Sequence, residues 1–175
     1  MTGYLNLLKK RYGLKKLFKY AIYFSLYGLV KYIPSPVGDY LRYLVLKGFL
    51  KKLGKGTIIK EGIIKEGVTI YFPENVEIGE NVSINEFCFI DGYGGVKIGN
   101  NVRIAHGVSI ISEDHGYSDP NMPIYLQDKI HSPVKIGDDV WLGCKATILK
   151  GVKIGSGSVI GANSLVADDI PEYSV

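Results

Sequence analysis

The sequence predicts a mainly β chain wound as a solenoid, preceded by a basic helical segment and interrupted by one long loop. Three observations predict it. Branched aliphatics recur every six residues between Ile58 and Val166. Glycine is abundant, 22 of 175 residues, yet follows no Gly-X-Y period, so it punctuates turns rather than marking a collagen. Charge is divided: up to Leu53, eleven Lys/Arg stand against Asp39 alone, giving +10, while the rest carries ten Lys/Arg and sixteen Asp/Glu, giving −6. Two physically different segments therefore join near Gly54, one spanning 1–53 and the other 54–175. Hydrophobic content of 46% with 22% charged residues excludes a disordered chain.

From Leu14 the apolar residues Leu14, Leu17, Phe18, Ala21, Ile22, Leu26 and Leu29 recur at three- and four-residue steps, a helical period. Pro34 and Pro36 end this helix. Ser35 and Pro36 suit the cap and first position of a second helix, which should run through Leu41, Leu44, Val45 and Gly48 to Lys51 and Lys52, with Gly54 as its stop. The longest uncharged stretch of the basic segment, Tyr20 to Val30, is too short as a helix to cross a hydrocarbon core of ~30 Å. Nor does a small-residue cleavage site follow it, so no signal peptide is expected. Eleven aromatics, eight of them tyrosine, fall in the first 53 residues. Together with the lysines they suit peripheral contact with an anionic membrane surface, or else a cap on the following domain. Nothing resembles a base-reading module, so nucleic acid is not expected as a partner. Two cysteines make no disulfide framework, and a cytoplasmic location follows, at most peripheral on the inner face of the membrane.

The six-residue register runs Ile58, Ile64, Ile70; Ile78, Ile84, Ile90; Ile98, Ile104, Ile110; then Ile136, Leu142, Ile148, Ile154, Ile160 and Val166. Two residues earlier stands a smaller inward candidate such as Val82, Cys88, Val102 or Ala146, and glycine often follows the aliphatic. A turn every six residues is expected to use that glycine for its lack of Cβ. The steps from Ile70 to Ile78 and from Ile90 to Ile98 carry two extra residues each, and the step from Ile110 to Ile136 carries twenty, an excursion over 112–133. A long excursion from a solenoid is where function is expected.

This pattern resembles the hexapeptide-repeat acetyltransferases, and within them the maltose, galactoside and cell-surface polysaccharide O-acetyltransferases. The resemblance covers roughly Ile58 to Val175 and is most specific from Trp141-Leu142-Gly143 to Ile170-Pro171. It implies a left-handed parallel β-helix of about five coils, three hexapeptides per coil, against the usual right-handed crossover preference. It also implies a homotrimer whose sites are shared between subunits, and acetyl-CoA as co-substrate with no metal.

Several residues acquire roles from the resemblance. The loop begins Ser112-Glu113-Asp114-His115-Gly116, and His115 matches the family's catalytic histidine. Acetyl transfer from a thioester to a sugar hydroxyl needs that hydroxyl's proton removed, and neutral imidazole is a suitable base. Glu113, Asp114 or a backbone carbonyl is a candidate to orient its ring. Asn85 and Asp91 match acceptor-binding positions, although Asp91-Gly92-Tyr93-Gly94-Gly95 is richer in glycine than the family pattern. Trp141, Gly143 and Cys144, with Gly161 and Ala162 eighteen residues later, match the coenzyme groove, where small side chains let a pantetheine thread lie close to backbone amides. Ala167-Asp168 departs from the Thr-Lys common at that place, removing a phosphate partner. Cys88 faces inward by register, and nothing marks Cys144 as an activated nucleophile, so direct transfer is favoured over an acyl-enzyme. Three other readings remain: an N-acetyltransferase on an amino or nucleotide sugar, a non-catalytic scaffold, and a zinc carbonic anhydrase of the same fold. The last would need His106, His115 and His131 to converge, at spacings unlike that family's paired histidines.

Overall fold

The computed structural model describes residues 13–54 and 64–175. Two helices, α1 (Leu14–Val30) and α2 (Val37–Phe49), lead into a left-handed parallel β-helix with three faces. Face 1 stacks Leu53, Ile78, Ile98, Ile136 and Ile154. Face 2 stacks Ile64, Ile84, Ile104, Leu142 and Ile160. Face 3 stacks Ile70, Ile90, Ile110, Ile148 and Val166. Every aliphatic of the register from Ile64 onward is buried in one continuous core, which the inward Val82, Cys88, Val102 and Ala146 also join. Each such aliphatic contributes about 1.5–3 kcal/mol on full burial, so the ladder supplies most of the driving force for coiling.

Two expectations are corrected at the start of the prism. The second helix does not reach Lys51 and Lys52: it ends at Phe49, because Leu50 turns extended with ψ 147° and Lys52–Leu53 pairs with Glu77 and Ile78. The first rung of face 1 is therefore Leu53; Ile58, read as the start of the first coil, lies outside the described residues. The cap of α2 is Pro36 rather than Ser35, whose hydroxyl instead donates to Asp39 Oδ1.

The corner glycines avoid a Cβ clash as expected, and the structure shows what the Cβ would meet. Gly79, after Ile78, does not adopt a left-handed backbone; a Cβ there would lie 2.3 Å from the carbonyl oxygen of Gly99 on the next coil. Coil-to-coil stacking, not turn conformation, excludes a side chain. The left-handed residue falls two positions later, at Asn81, Asn101 and Asp139 on the corner between faces 1 and 2, where Asn and Asp tolerate it best among residues with a Cβ. Their neighbours knit the coils together: Asn100 Oδ1 accepts the Glu80 amide, Asp138 Oδ1 the Asn100 amide and Ser156 Oγ the Asp138 amide.

The helices close the open end of the prism with hydrogen-bond donors. Tyr23 and Tyr27 are buried and donate through their hydroxyls to the carbonyls of Ile70 and Val68. Arg42, fully buried, donates to the carbonyls of Ile64, Val30, Lys31 and Ile33 and to Asp39. An uncapped coil would leave its carbonyls facing apolar side chains without partners. Burial pushes both phenols well above their ordinary value, so they remain protonated donors. No helix among the described residues is long and apolar enough to cross a membrane.

Candidate active site

The excursion leaves the corner between faces 3 and 1 on a short two-stranded stalk. Glu113–Asp114 pairs antiparallel with Ile130–His131, so the chain departs and returns at one point. Ser112 fixes that root. It is fully buried, donates to the Asp91 carbonyl at 2.6 Å and accepts the Gly94 amide at 2.8 Å, while its own carbonyl accepts from Ser132. The glycine-rich turn now has a reason: a Cβ on Gly94 would lie 2.4 Å from the Ser112 carbonyl oxygen. Asp91 stands opposite Ile111 in the face-3 register, one coil below the stalk, as its spacing predicted.

The carboxylates around His115 are occupied by lysines. Lys129 binds Glu113 and Lys150 binds Asp114. Among the described residues the exposed His115 imidazole has no hydrogen-bond partner, so neither carboxylate orients the ring in this structure. The Asp114 carboxylate holds Lys150 above its ordinary range, an effect that burial partly offsets. Asp91 is buried, and burial raises its carboxyl above the usual range. The Tyr93 amide and Lys129 pull it back, while the Glu113 charge adds to the rise. Glu113 Oε2 is itself buried without a hydrogen-bond partner. The stalk thus brings Asp91, Glu113 and Lys129 together under the loop, with the Asp114–Lys150 pair on the same stalk.

A second group of predicted residues stacks at the corner between faces 2 and 3. The Asn85 amide donates to Ile104, the Ala105 amide to Leu142, the Gly143 amide to Ile160 and the Asn163 amide to Cys144, each at 2.8–2.9 Å. Asn85, Gly143, Cys144, Gly161 and Ala162 therefore form one column, with Gly161 and Ala162 exposed at its top. Trp141 flanks it from face 2, 54% exposed, between Arg103 and Val159. Cys88 is a core residue; burial pushes its thiol up to about 11 and the thiol donates to the Ala105 carbonyl. His106 lies on this corner and His131 on the stalk. Among the described residues no three His, Cys, Asp or Glu side chains are grouped as metal ligands.

One chain does not unite the two groups. His115 and Asp91 occupy the 3/1 corner, while Asn85 and the Trp141–Ala162 column occupy the 2/3 corner, with all of face 3 between them. Sequence reasoning missed Ser112, Lys129 and Lys150. A signal for Lys150 existed: once the twenty inserted residues are removed, it is eighteen residues beyond Ser112, hence one coil above it. Ser112 and Lys129 carried none, because their partners come from the fold of the loop.

A family model described as the bacterial transferase hexapeptide (six repeats) matches residues 133–168. A putative acetyltransferase of Saccharomyces cerevisiae is 39% identical over 146 residues, covering 81% of this chain and 68% of that protein. The chain belongs to the hexapeptide-repeat acetyltransferase family. Among other family members, a putative lipopolysaccharide biosynthesis O-acetyl transferase of Escherichia coli is 40% identical over 103 residues, 55% of this chain and 53% of that one. The solved hexapeptide-repeat acetyltransferase of Vibrio cholerae in complex with acetyl coenzyme A superposes with a TM-score of 0.70 at 25% identity, covering 87% of this chain and 80% of that chain. The chain spans 34% and 53% of the length of the first two curated relatives it matches.

Proposed function

We propose that this chain is an acetyl-CoA-dependent O-acetyltransferase that moves an acetyl group directly to a hydroxyl of a sugar or surface glycan. The observation that carries this reading is the exposed His115 imidazole, held at the prism corner on a stalk locked by Ser112. In the proposed reaction neutral His115 accepts the acceptor hydroxyl's proton as its oxygen attacks the thioester carbonyl. The carbon–sulfur bond then breaks, and the imidazolium returns the proton to the departing thiolate. Asp91 and Asn85 hydrogen-bond acceptor hydroxyls. The Gly143–Ala162 column receives the coenzyme: its exposed Gly161 and Ala162 place no side chain larger than a methyl beside the backbone. The Vibrio cholerae relative binds acetyl coenzyme A and the Escherichia coli relative is named for lipopolysaccharide O-acetylation, which supports both halves of the reaction.

The working unit is a homotrimer with shared sites. The outward residues of face 3 are Thr69, Phe89, Ser109, Thr147 and Leu165, none of them charged, whereas face 1 presents Lys52, Glu77, Lys97, Lys135 and Lys153. Three prisms with face 3 toward a common axis bring the 3/1 corner of each copy against the 2/3 corner of the next. That unites His115 and Asp91 of one copy with Asn85 and the coenzyme column of its neighbour, in a closed cyclic arrangement.

The test is a screen of sugars and glycans as acceptors, with thiol release from acetyl-CoA as readout and light scattering on the same sample. Acceptor-dependent release by a particle of three 19.3 kDa chains is expected. Release only with amino sugars would replace the reading by N-acetylation. An active monomer would remove the shared site.

The coenzyme column makes a separable prediction. A Cβ on Gly143 would lie 2.6 Å from the Ala162 amide nitrogen, so Gly143→Ala should cost about 1–3 kcal/mol in denaturant unfolding. Gly161 is open, with only Ser164 Oγ at 3.4 Å, so Gly161→Leu should leave stability within about 0.5 kcal/mol. It should nevertheless weaken coenzyme A binding by about tenfold or more in calorimetry, equivalent to about 1.4 kcal/mol. Unchanged affinity in Gly161→Leu would move the coenzyme off this corner.

A further inference from the structure

Helix α1 is inverted relative to an ordinary surface helix, which buries its aliphatic stripe and exposes its polar face. It turns Tyr23 and Tyr27 into the prism and leaves Leu14, Phe18, Ile22, Leu26 and Leu29 facing outward, with Phe18 70% and Leu29 76% exposed. The tyrosines point inward because the first coil needs donors for its carbonyls, and that requirement leaves the aliphatic stripe uncovered. A contiguous exposed apolar stripe marks an interaction surface.

The charges beside the stripe specify what it meets. Lys15 and Lys19 are exposed on the same helix, and α1 contains no carboxylate. On α2 the single acid, Asp39, is buried against Arg42. The outward surface is therefore aliphatic, aromatic and cationic. That composition complements anionic headgroups over acyl chains.

We infer that the outward face of α1 docks on an anionic membrane surface and holds the enzyme beside a membrane-held acceptor. Docking is independent of the transfer chemistry, and its test is read without acetyl-CoA. The full chain is floated with vesicles of phosphatidylglycerol and phosphatidylcholine, and with phosphatidylcholine alone, at low and high salt. It should rise with the anionic vesicles at low salt and be lost from them as salt increases. Lys15→Gln and Lys19→Gln should each weaken binding by about fivefold. Phe18→Ser combined with Leu29→Ser should reduce it by about tenfold or more while the thermal melt stays unchanged, since both side chains are already exposed in the folded chain. The inference is overturned if the wild-type chain ignores anionic vesicles at low salt, if neutral vesicles bind it equally, or if the double serine variant floats as well as wild type. It is also overturned if that variant loses oligomeric mass while the wild type does not float, because the stripe would then join copies of this chain.

Discussion

His115→Ala is expected to lower turnover by roughly 10²–10⁴-fold, the usual worth of a positioned general base, while coenzyme A affinity stays near wild type. The separation follows from the division of roles: His115 rides the stalk of one copy, whereas the proposed coenzyme column is the 2/3 corner of its neighbour. The controls are His106→Ala and His131→Ala. His131 lies on the stalk's other strand opposite Glu113, and His106 lies in the corner column, so both should have much smaller effects. Steady-state kinetics paired with calorimetric coenzyme binding checks the prediction. Near-wild-type turnover in His115→Ala would refute the assignment, and so would an equal loss in His131→Ala.

The second large effect is on stability. Arg42→Ala should destabilise the chain by about 3–5 kcal/mol, the usual consequence of removing one partner of a buried ion pair. The alanine would leave the carbonyls of Ile64, Val30, Lys31 and Ile33 facing a void, and the buried Asp39 would lose its 2.6 Å partner. For a chain of this size the melting temperature should fall by about 10 °C or more. Arg42→Lys should recover only part of the loss, because an ammonium cannot reproduce the planar fork that reaches several carbonyls at once. Thermal and urea unfolding of both variants provide the measurement. An Arg42→Ala protein within about 1 kcal/mol of wild type would show that water, not the guanidinium, satisfies those carbonyls.

The repeat made the prism legible because a solenoid writes its contacts at fixed sequence separation. Ile148 stacks on Val166, and Trp141 pairs with Val159, where the eighteen-residue coil requires. The same regularity located Asp91 beneath the loop and stacked Cys144 under Ala162. Where the period failed, the reading failed too. Leu53 became a rung of face 1 because the chain leaves α2 already beside Ile78, a placement no six-residue register contains. The glycines were recognised as positions that exclude a Cβ, but periodicity does not record whether torsion or a neighbouring coil excludes it.

The sequence alone established the three aliphatic ladders, the point where the loop departs and the stacking of candidate residues within each corner. All of these are local or strictly periodic, and the hydrophobic effect enforces them one coil at a time. Tertiary contacts settled which face of α1 turns inward, why Arg42 is buried, and how Ser112, Lys129 and Lys150 lock the stalk. Those depend on where individual carbonyls and carboxylates end in space. A buried acceptor recruits whichever donor the fold brings within about 3 Å, and no spacing in the chain records that distance.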